Sequence, residues 1–184
     1  IAERELGAMT DLVAEPANQT VLTKTPKALL AAHEVGQRGV ILGLQNALIL
    51  GTEVNAIDDF YAAGVRVFAL THMGHNAFAD SSRPLFDAAL GRREPDAEHG
   101  GLADLGRAAI QRINALGGVV DISQLSKQAA LQAMSISTTP VIASHSNARA
   151  LTNVSRNLSD EELDGIGATG GVVHIAPFAG YLFD

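Results

Sequence analysis

Two short β-branched runs, with a helix-like segment between them, decide the fold. The runs are Gly118-Val119-Val120-Asp121-Ile122 and Pro140-Val141-Ile142-Ala143-Ser144, and residues 124–137 join them. Short apolar runs of this kind are typical of strands that are buried on both faces, and a helix between two such strands makes them parallel. This stretch therefore predicts a βαβ unit.

The same alternation extends in both directions along the chain. Three further runs resemble buried strands and follow helix-like segments: 39–44 after about 22–37, 65–70 after 56–63, and 171–175 after 160–168. A further helix-like segment, 102–116, precedes the run at 118–122. Five βα units predict a parallel sheet, which is either open and doubly wound or part of a (β/α)8 barrel, a fold of about 250 residues.

Helix-ending and helix-starting residues agree with this division of the chain. Gly64 and Gly117 stand where helices should end, and Ser159 and Glu162 have the spacing of a capping box. The segment 79–101 differs, because it is rich in charge and proline and has little periodicity. We interpret it as a long loop over a functional site.

Composition limits the classes of function. The 184 residues include 13 Lys+Arg and 20 Asp+Glu, which gives a net charge of −7, and 47% are hydrophobic. An acidic chain without a basic run is a poor match for nucleic acid, so a small molecule is the expected partner. Because Cys is absent, any metal must bind His and carboxylate. No apolar run approaches the roughly 18 residues of a transmembrane segment.

The length predicts a single domain over 1–184. The chain begins at Ile1 and not at Met, and no basic region precedes an apolar stretch at its start. We therefore expect a segment of a longer protein.

Polar side chains follow the predicted strands at their carboxyl ends, where both candidate folds place their chemistry. They are Gln45, Asn46, Thr71, His72, Ser123, Gln124 and His145, with His174 inside the last run. The sequence contains no dinucleotide-binding or P-loop glycine motif and no serine elbow. Histidine, as a metal ligand or an acid–base group, is therefore the candidate for chemistry.

These candidates differ in strength. His145 is the strongest, because it lies at a strand tip between two serines that can orient its ring. His72 fits a structural histidine as well as a functional one, and His174 fits a core position better than a ligand. Arg156 fits two-point binding of a carboxylate or a surface ion pair equally well.

Several sequence blocks occur in order between about 39 and 175. They are Gly64-Val65-Arg66 leading to Leu70-Thr71-His72, Ala79-Asp80-Ser81, Gly101-Leu102-Ala103-Asp104-Leu105-Gly106, Val120-Asp121-Ile122-Ser123, Ser144-His145-Ser146-Asn147-Ala148-Arg149-Ala150-Leu151 and Arg156-Asn157. Together they resemble the renal or membrane dipeptidase family, peptidase family M19. The resemblance implies a (β/α)8 TIM-barrel metallohydrolase with two zinc ions that cleaves dipeptides, and this chain would supply about five of its βα units.

The resemblance also implies roles for single residues. His145 matches a zinc ligand, His72 matches the catalytic histidine that contacts the developing oxyanion, and Arg156 matches the arginine that holds the substrate carboxylate. His75 and Asn76 are expected to contact substrate as well.

Two ligand positions of the family are substituted in this chain. Gln45 falls where the family has its bridging glutamate, and Gln124 falls where it has a histidine. A carboxamide is a much weaker zinc ligand than either, so we expect one zinc ion or none. The family's first-strand His-x-Asp pair has no counterpart, and its late aspartate should lie beyond residue 184.

Three functions follow from these observations. The first is a metal-dependent, dipeptidase-like hydrolase that cleaves the amide bond of a dipeptide or related small peptide. The second is a divergent enzyme that acts on a modified peptide by other chemistry, with Gln45, Gln124, His72 and His75 as polar contacts. The third is a non-catalytic peptide-binding protein. The sequence does not decide whether the protein forms a homodimer. It does not decide the location either: the resemblance implies the periplasm or secretion and does not exclude the cytoplasm.

Overall fold

The computed structural model of the chain describes residues 2–89 and 91–183. Its elements follow in this order: α1 (Ala2–Ala14), β1 (Thr20–Leu22), α2 (Pro26–Glu34), β2 (Arg38–Val40), β3 (Leu42–Gln45), α3 (Ala56–Ala63), β4 (Val65–Ala69), β5 (Phe86–Asp87), β6 (Arg92–Arg93), α4 (Asp104–Leu116), β7 (Val119–Asp121), α5 (Lys127–Ile136), β8 (Ile142–Ser146), α6 (Asp160–Ala168), β9 (Val172–Ile175) and α7 (Ala179–Leu182). Short 3-10 helices cover Pro16–Asn18 and Ala47–Leu50.

Five strands form one parallel sheet in the order β3-β4-β7-β8-β9. A helix lies between each pair of neighbours along the chain, namely α3, α4, α5 and α6. The strand order never reverses, as it would at the switch point of a doubly wound sheet, so the arrangement is that of a barrel. The predicted parallel sheet of βα units is confirmed.

The first predicted strand, 39–44, is two strands in the structure. β2 pairs in parallel with β1, β3 pairs in parallel with β4, and Ile41 between them belongs to neither strand. The predicted helix at about 22–37 is shorter, because β1 ends at Leu22 and α2 begins only at Pro26. Thr25 sets this start, since its hydroxyl accepts a hydrogen bond from the Ala28 amide (3.1 Å) and proline fits the first helical turn.

The core lies between the sheet and the helices that join its strands. α4 contributes Ala109, Ile110 and Ile113, which are fully buried and share one face of the helix. The same helix packs closely on the backbone at Phe78. A Cβ added at Gly106 would lie only 2.1 Å from the carbonyl oxygen of Phe78. Loop and core are therefore packed as one unit. No helix in the described part of the chain has the length and apolar character needed to cross a membrane.

The predicted loop 79–101 is largely irregular, and the short antiparallel ladder of β5 and β6 inside it was not predicted. Its two ends meet at the carboxylate of Asp80. This carboxylate accepts hydrogen bonds from the backbone amides of Glu98 (2.8 Å), His99 (3.1 and 3.2 Å) and Gly101 (2.8 Å). The loop is thereby closed at its base beside the sheet.

Candidate active site

A cavity of about 400 Å³ opens on one face of the sheet. Successive side chains of a strand point to opposite faces, and on β4 alternate residues line the cavity, whereas β8 has a register irregularity and contributes the neighbours Ser144 and His145. The lining residues include Gly43, Gln45, Val67, Ala69, Asp121, Ile142, Ser144, His145 and His174. The polar members stand at or near the carboxyl ends of their strands, where the sequence places the site.

Three of the predicted site residues meet at the ring of His145. Its Nε2 atom lies 3.1 Å from Nε2 of Gln45 and 3.0 Å from Nε2 of Gln124. Amide NH2 groups only donate hydrogen bonds, so the Nε2 atom of His145 accepts both and carries no proton. Two carboxamides therefore cap one imidazole nitrogen.

The other ring nitrogen of His145 is held by a polar chain. The Ser144 hydroxyl lies 2.7 Å from Nδ1 and also hydrogen-bonds to the carboxylate of Asp121. A carboxylate only accepts, so the Ser144 hydroxyl donates to Asp121 and the Nδ1–H of His145 donates to Ser144. Asp121 is fixed in turn by the backbone amides of Ser123 (2.9 Å) and Ser144 (3.1 Å). This Asp121–Ser144 chain sets the orientation and tautomer of the ring.

Electrostatics favour the neutral form of His145. Burial lowers the pKa of His145, and the charges of Arg156 and His72 lower it further, against the opposite effect of Asp121. The Nε2 atom thus stays unprotonated at neutral pH, as its two hydrogen bonds from the carboxamides require.

Gln124 and Asn46 have backbone conformations that are rare for residues other than glycine. Their φ angles are 70° and 78°, in the left-handed region; Asn46 directly follows β3, and Gln124 lies three residues after the end of β7. Tertiary hydrogen bonds hold both turns: the Gln124 carbonyl accepts from the Thr71 hydroxyl (2.8 Å), and Asn46 Oδ1 accepts from the Asn76 side-chain amide (3.0 Å). The reversal at Gln124 turns its amide toward His145. Such conformations cost free energy and concentrate at functional sites.

His72 and Arg156 differ in their exposure. The His72 ring is exposed, and its backbone carbonyl accepts from the Ser81 hydroxyl (2.5 Å). Arg156 is only 3% exposed, and its terminal nitrogens donate to Ser146 Oγ (3.2 Å) and to the carbonyl of His145. Arg156 therefore lies beneath the His145 peptide and does not line the cavity.

The expectation that His75 and Asn76 contact substrate does not fit their placement. The His75 side chain is 1% exposed; its Nδ1 accepts from the Ser81 amide (3.0 Å) and its Nε2 donates to the Pro95 carbonyl (2.8 Å). The Asn76 amide nitrogen donates to the Leu70 carbonyl (2.8 Å), and its oxygen accepts from two backbone amides. Because these polar atoms are already bonded within the protein, both residues fix the loop.

Other residues of the site were not singled out from the sequence. Asp121 and Ser144 lie in two of the predicted strands, 118–122 and 140–144. Each follows an apolar residue, and because side chains alternate between the two faces of a strand, this pattern would have placed both residues on the cavity face. His174 lines the cavity and is exposed, which corrects the core interpretation of this residue. His174 lies on β9 between Val173 and Ile175. These two residues pair with Ala143 and Ser146 of β8, which flank Ser144 and His145.

Comparison with known proteins gives a consistent result. The family described as membrane dipeptidase, peptidase family M19, matches residues 2–183. Dipeptidase aclJ of Aspergillus oryzae is 32% identical over 149 residues, which are 81% of this chain and 33% of that protein. The crystal structure of the probable dipeptidase PvdM from Pseudomonas aeruginosa is 37% identical with a TM-score of 0.90, covering 98% of this chain and 44% of that one.

A metallopeptidase from Rhodobacter sphaeroides, liganded with a phosphinate mimic of L-Ala-D-Ala, has the same fold. Its TM-score is 0.85 at 24% identity, with coverage of 96% of this chain and 48% of that chain. The chain thus spans about a third to a half of the length of these proteins.

A metallopeptidase family implies a metal, and the residues of this site do not fit one. Within 2–89 and 91–183 no three His, Cys, Asp or Glu side chains come together in a way that could hold a metal ion. The carboxamides of Gln45 and Gln124 lie in front of His145 Nε2 and are weak zinc ligands, and Asp121 is turned toward Ser144. In this cluster His145 is therefore the one strong zinc ligand, which is too few for a zinc site.

Proposed function

Because the chain belongs to the membrane dipeptidase family, peptidase family M19, we propose that the protein acts on the amide bond of a dipeptide or a related small peptide. The observation that carries this proposal is the cavity of about 400 Å³ at the carboxyl ends of the strands, with His145 in its wall. Barrel enzymes place their active sites at this end, and the volume suits a small ligand. On this proposal residues 1–184 form one domain that contributes part of a larger barrel.

The polar residues of the cavity suit a peptide. A peptide unit offers one donor and one acceptor, and the carboxamide of Gln45, which lines the cavity, can satisfy both. The exposed imidazole of His72 is the candidate donor for a carbonyl oxygen that gains negative charge during attack. His145, held by Ser144 and Asp121, is the candidate proton acceptor at its Nε2 atom.

Two versions of this chemistry differ in their need for a metal. Membership of the family supports hydrolysis that depends on a metal. For this chain we propose one zinc ion or none. The two carboxamides that cap His145 support a second candidate, a divergent enzyme that acts on a modified peptide without a metal.

The first experiment is a cleavage assay of the full-length protein with a panel of dipeptides, before and after treatment with a chelator. We expect cleavage, and we expect His72→Ala to lower kcat by about 10²–10³-fold, the usual effect of removing an oxyanion donor. His33→Ala is the matched control, since His33 is exposed on α2. Activity that resists chelation supports the metal-free version. If no dipeptide is cleaved or bound, the proposal is refuted.

A further inference from the structure

One polar side chain in the cavity wall makes no hydrogen bond to any of residues 2–89 and 91–183. The polar lining residues are Gln45, Asp121, Ser144, His145 and His174. The first four are joined to one another through the ring of His145 and the hydroxyl of Ser144. The side chain without a partner is that of His174, which is exposed. Both of its ring nitrogens are therefore open to a ligand that enters the cavity.

The strand pairing places His174 beside His145. Between the two residue pairs that flank this position, β9 has one residue, His174, whereas β8 has two, Ser144 and His145. Two residues facing one is the pattern of a β-bulge, a feature that redirects side chains and is common next to active sites. Neighbouring strands of a sheet lie about 4.8 Å apart. A ligand bound at His145 is therefore within reach of the His174 ring.

Cleavage of an amide needs a proton donor as well as a proton acceptor, because the amine leaves with its nitrogen protonated. In the proposed function His145 is the acceptor and His72 faces the oxyanion. Asp121 is not a donor, since its carboxylate accepts hydrogen bonds from the Ser144 hydroxyl and from two backbone amides. A carboxamide is not an acid–base group. Of the polar lining residues named above, His174 is the one left for the role of proton donor.

We propose that His174 contacts the peptide ligand and donates a proton to its leaving amine. This rests on the proposed function, because it completes the cleavage of an amide. Water bonds to the amide carbon, one of its protons passes to Nε2 of His145, and the carbonyl oxygen becomes negative beside His72. The oxyanion then re-forms the carbonyl and the C–N bond breaks. Its electron pair stays on nitrogen, which takes a proton from the His174 imidazolium. An amine and a carboxylic acid are released, and exchange with solvent restores both imidazoles.

The test compares two substrates with the same acyl group in the full-length protein, namely L-Ala-L-Ala and the p-nitrophenyl ester of L-alanine. The p-nitrophenolate ion is stable and leaves without a proton, so the ester does not need the donor. His174→Gln keeps a hydrogen-bonding side chain but cannot supply a proton. It should lower kcat for the dipeptide by about 10²-fold or more and change kcat for the ester by less than about three-fold. His33→Gln makes the same substitution at an exposed position of α2 and should change neither rate.

The ester rate also shows whether the variant keeps a folded site. An equal loss on both substrates would overturn the role of His174, because proton donation to a leaving amine cannot explain it. Full activity of His174→Gln on the dipeptide would overturn it as well, since hydrogen bonding alone would then suffice. If the unmodified protein cleaves neither the dipeptide nor the ester, the proposed function fails and the role of His174 fails with it. If it cleaves the dipeptide and His174→Gln does too, only the role of His174 fails.

Discussion

Replacing Asp80 with Asn tests how the loop 79–101 is held. The Asp80 carboxylate is fully buried and receives amide hydrogens from residues 98, 99 and 101. Asn keeps one carbonyl oxygen, but its NH2 group then faces a backbone donor. At least one charge-assisted hydrogen bond is lost and one buried donor is left without an acceptor.

The expected loss follows from these contacts. A hydrogen bond to a charged group contributes about 1.5–3 kcal/mol, so the free energy of loop opening should fall by about 2–3 kcal/mol in Asp80→Asn. Since 1.4 kcal/mol is ten-fold, amide hydrogens of residues 98, 99 and 101 should exchange about 30- to 150-fold faster. Hydrogen exchange followed by mass spectrometry measures this. Asp96→Asn, at an exposed position of the same loop, is the control and should change little.

Acidity gives a second readout for the same residue. Burial alone raises the pKa of Asp80, but hydrogen bonds from the amides of Glu98, Gly101 and His99 reverse this and hold the pKa below its usual range. The contribution of Asp80 is therefore complete above the unfolded pKa of about 3.9 and is lost as the pH falls through the lower folded value. Loop protection should hold from pH 7 to pH 5 and fall below about pH 4. Protection that is unchanged in Asp80→Asn at pH 7 would refute this account of the loop.

Four further changes have defined outcomes. Elemental analysis of the purified full-length protein should find well under two zinc ions per chain, and Gln45→Glu with Gln124→His should raise that content. Gly106→Ala should lower the free energy of unfolding by about 1–3 kcal/mol, because its Cβ would lie 2.1 Å from a backbone oxygen. Gly167→Ala meets nothing within 4 Å and should raise it by about 0.5–1 kcal/mol. Glu162→Ala should lower it by about 1–2 kcal/mol, because the buried carboxylate bonds to the start of α6.

Opposite results would count against these explanations. Two tightly bound zinc ions in the unmodified protein would contradict the effect assigned to the carboxamides. Urea unfolding measures the other three variants, and equal midpoints for the two glycine substitutions would contradict the contact drawn at Gly106. A Glu162→Ala variant as stable as the parent would remove the capping role of that carboxylate.

The sheet could be predicted because its strands are short, apolar and separated by helices that end at Gly64 and Gly117. Local patterning carries that information. The break at Ile41 could not be predicted in the same way, because β2 and β3 form one apolar run and differ only in which neighbour each pairs with. Pairing depends on distant residues, and a single run of sequence does not contain it.

The site could be predicted only as far as its strand tips. The rule that parallel strands end at one edge brought Gln45, Gln124 and His145 together correctly. The same rule does not predict which hydrogen bonds the side chains make in the loops beyond the strand ends. His75 follows His72 closely in sequence, yet its ring is bonded inside the loop, and Arg156 lies under the ring of Tyr181, which belongs to a later element.

The left-handed backbone at Gln124 also bears on how this site can evolve. Histidine accepts that conformation more readily than β-branched residues do, so Gln124→His needs little change in the main chain. In the genetic code a single base separates a glutamine codon from a histidine codon, and a single base likewise separates glutamine from glutamate. Two base changes, at codons 45 and 124, therefore connect the carboxamide-lined site to the residues that the family resemblance implies there. A library that varies only these two codons would sample both chemistries on one unchanged scaffold.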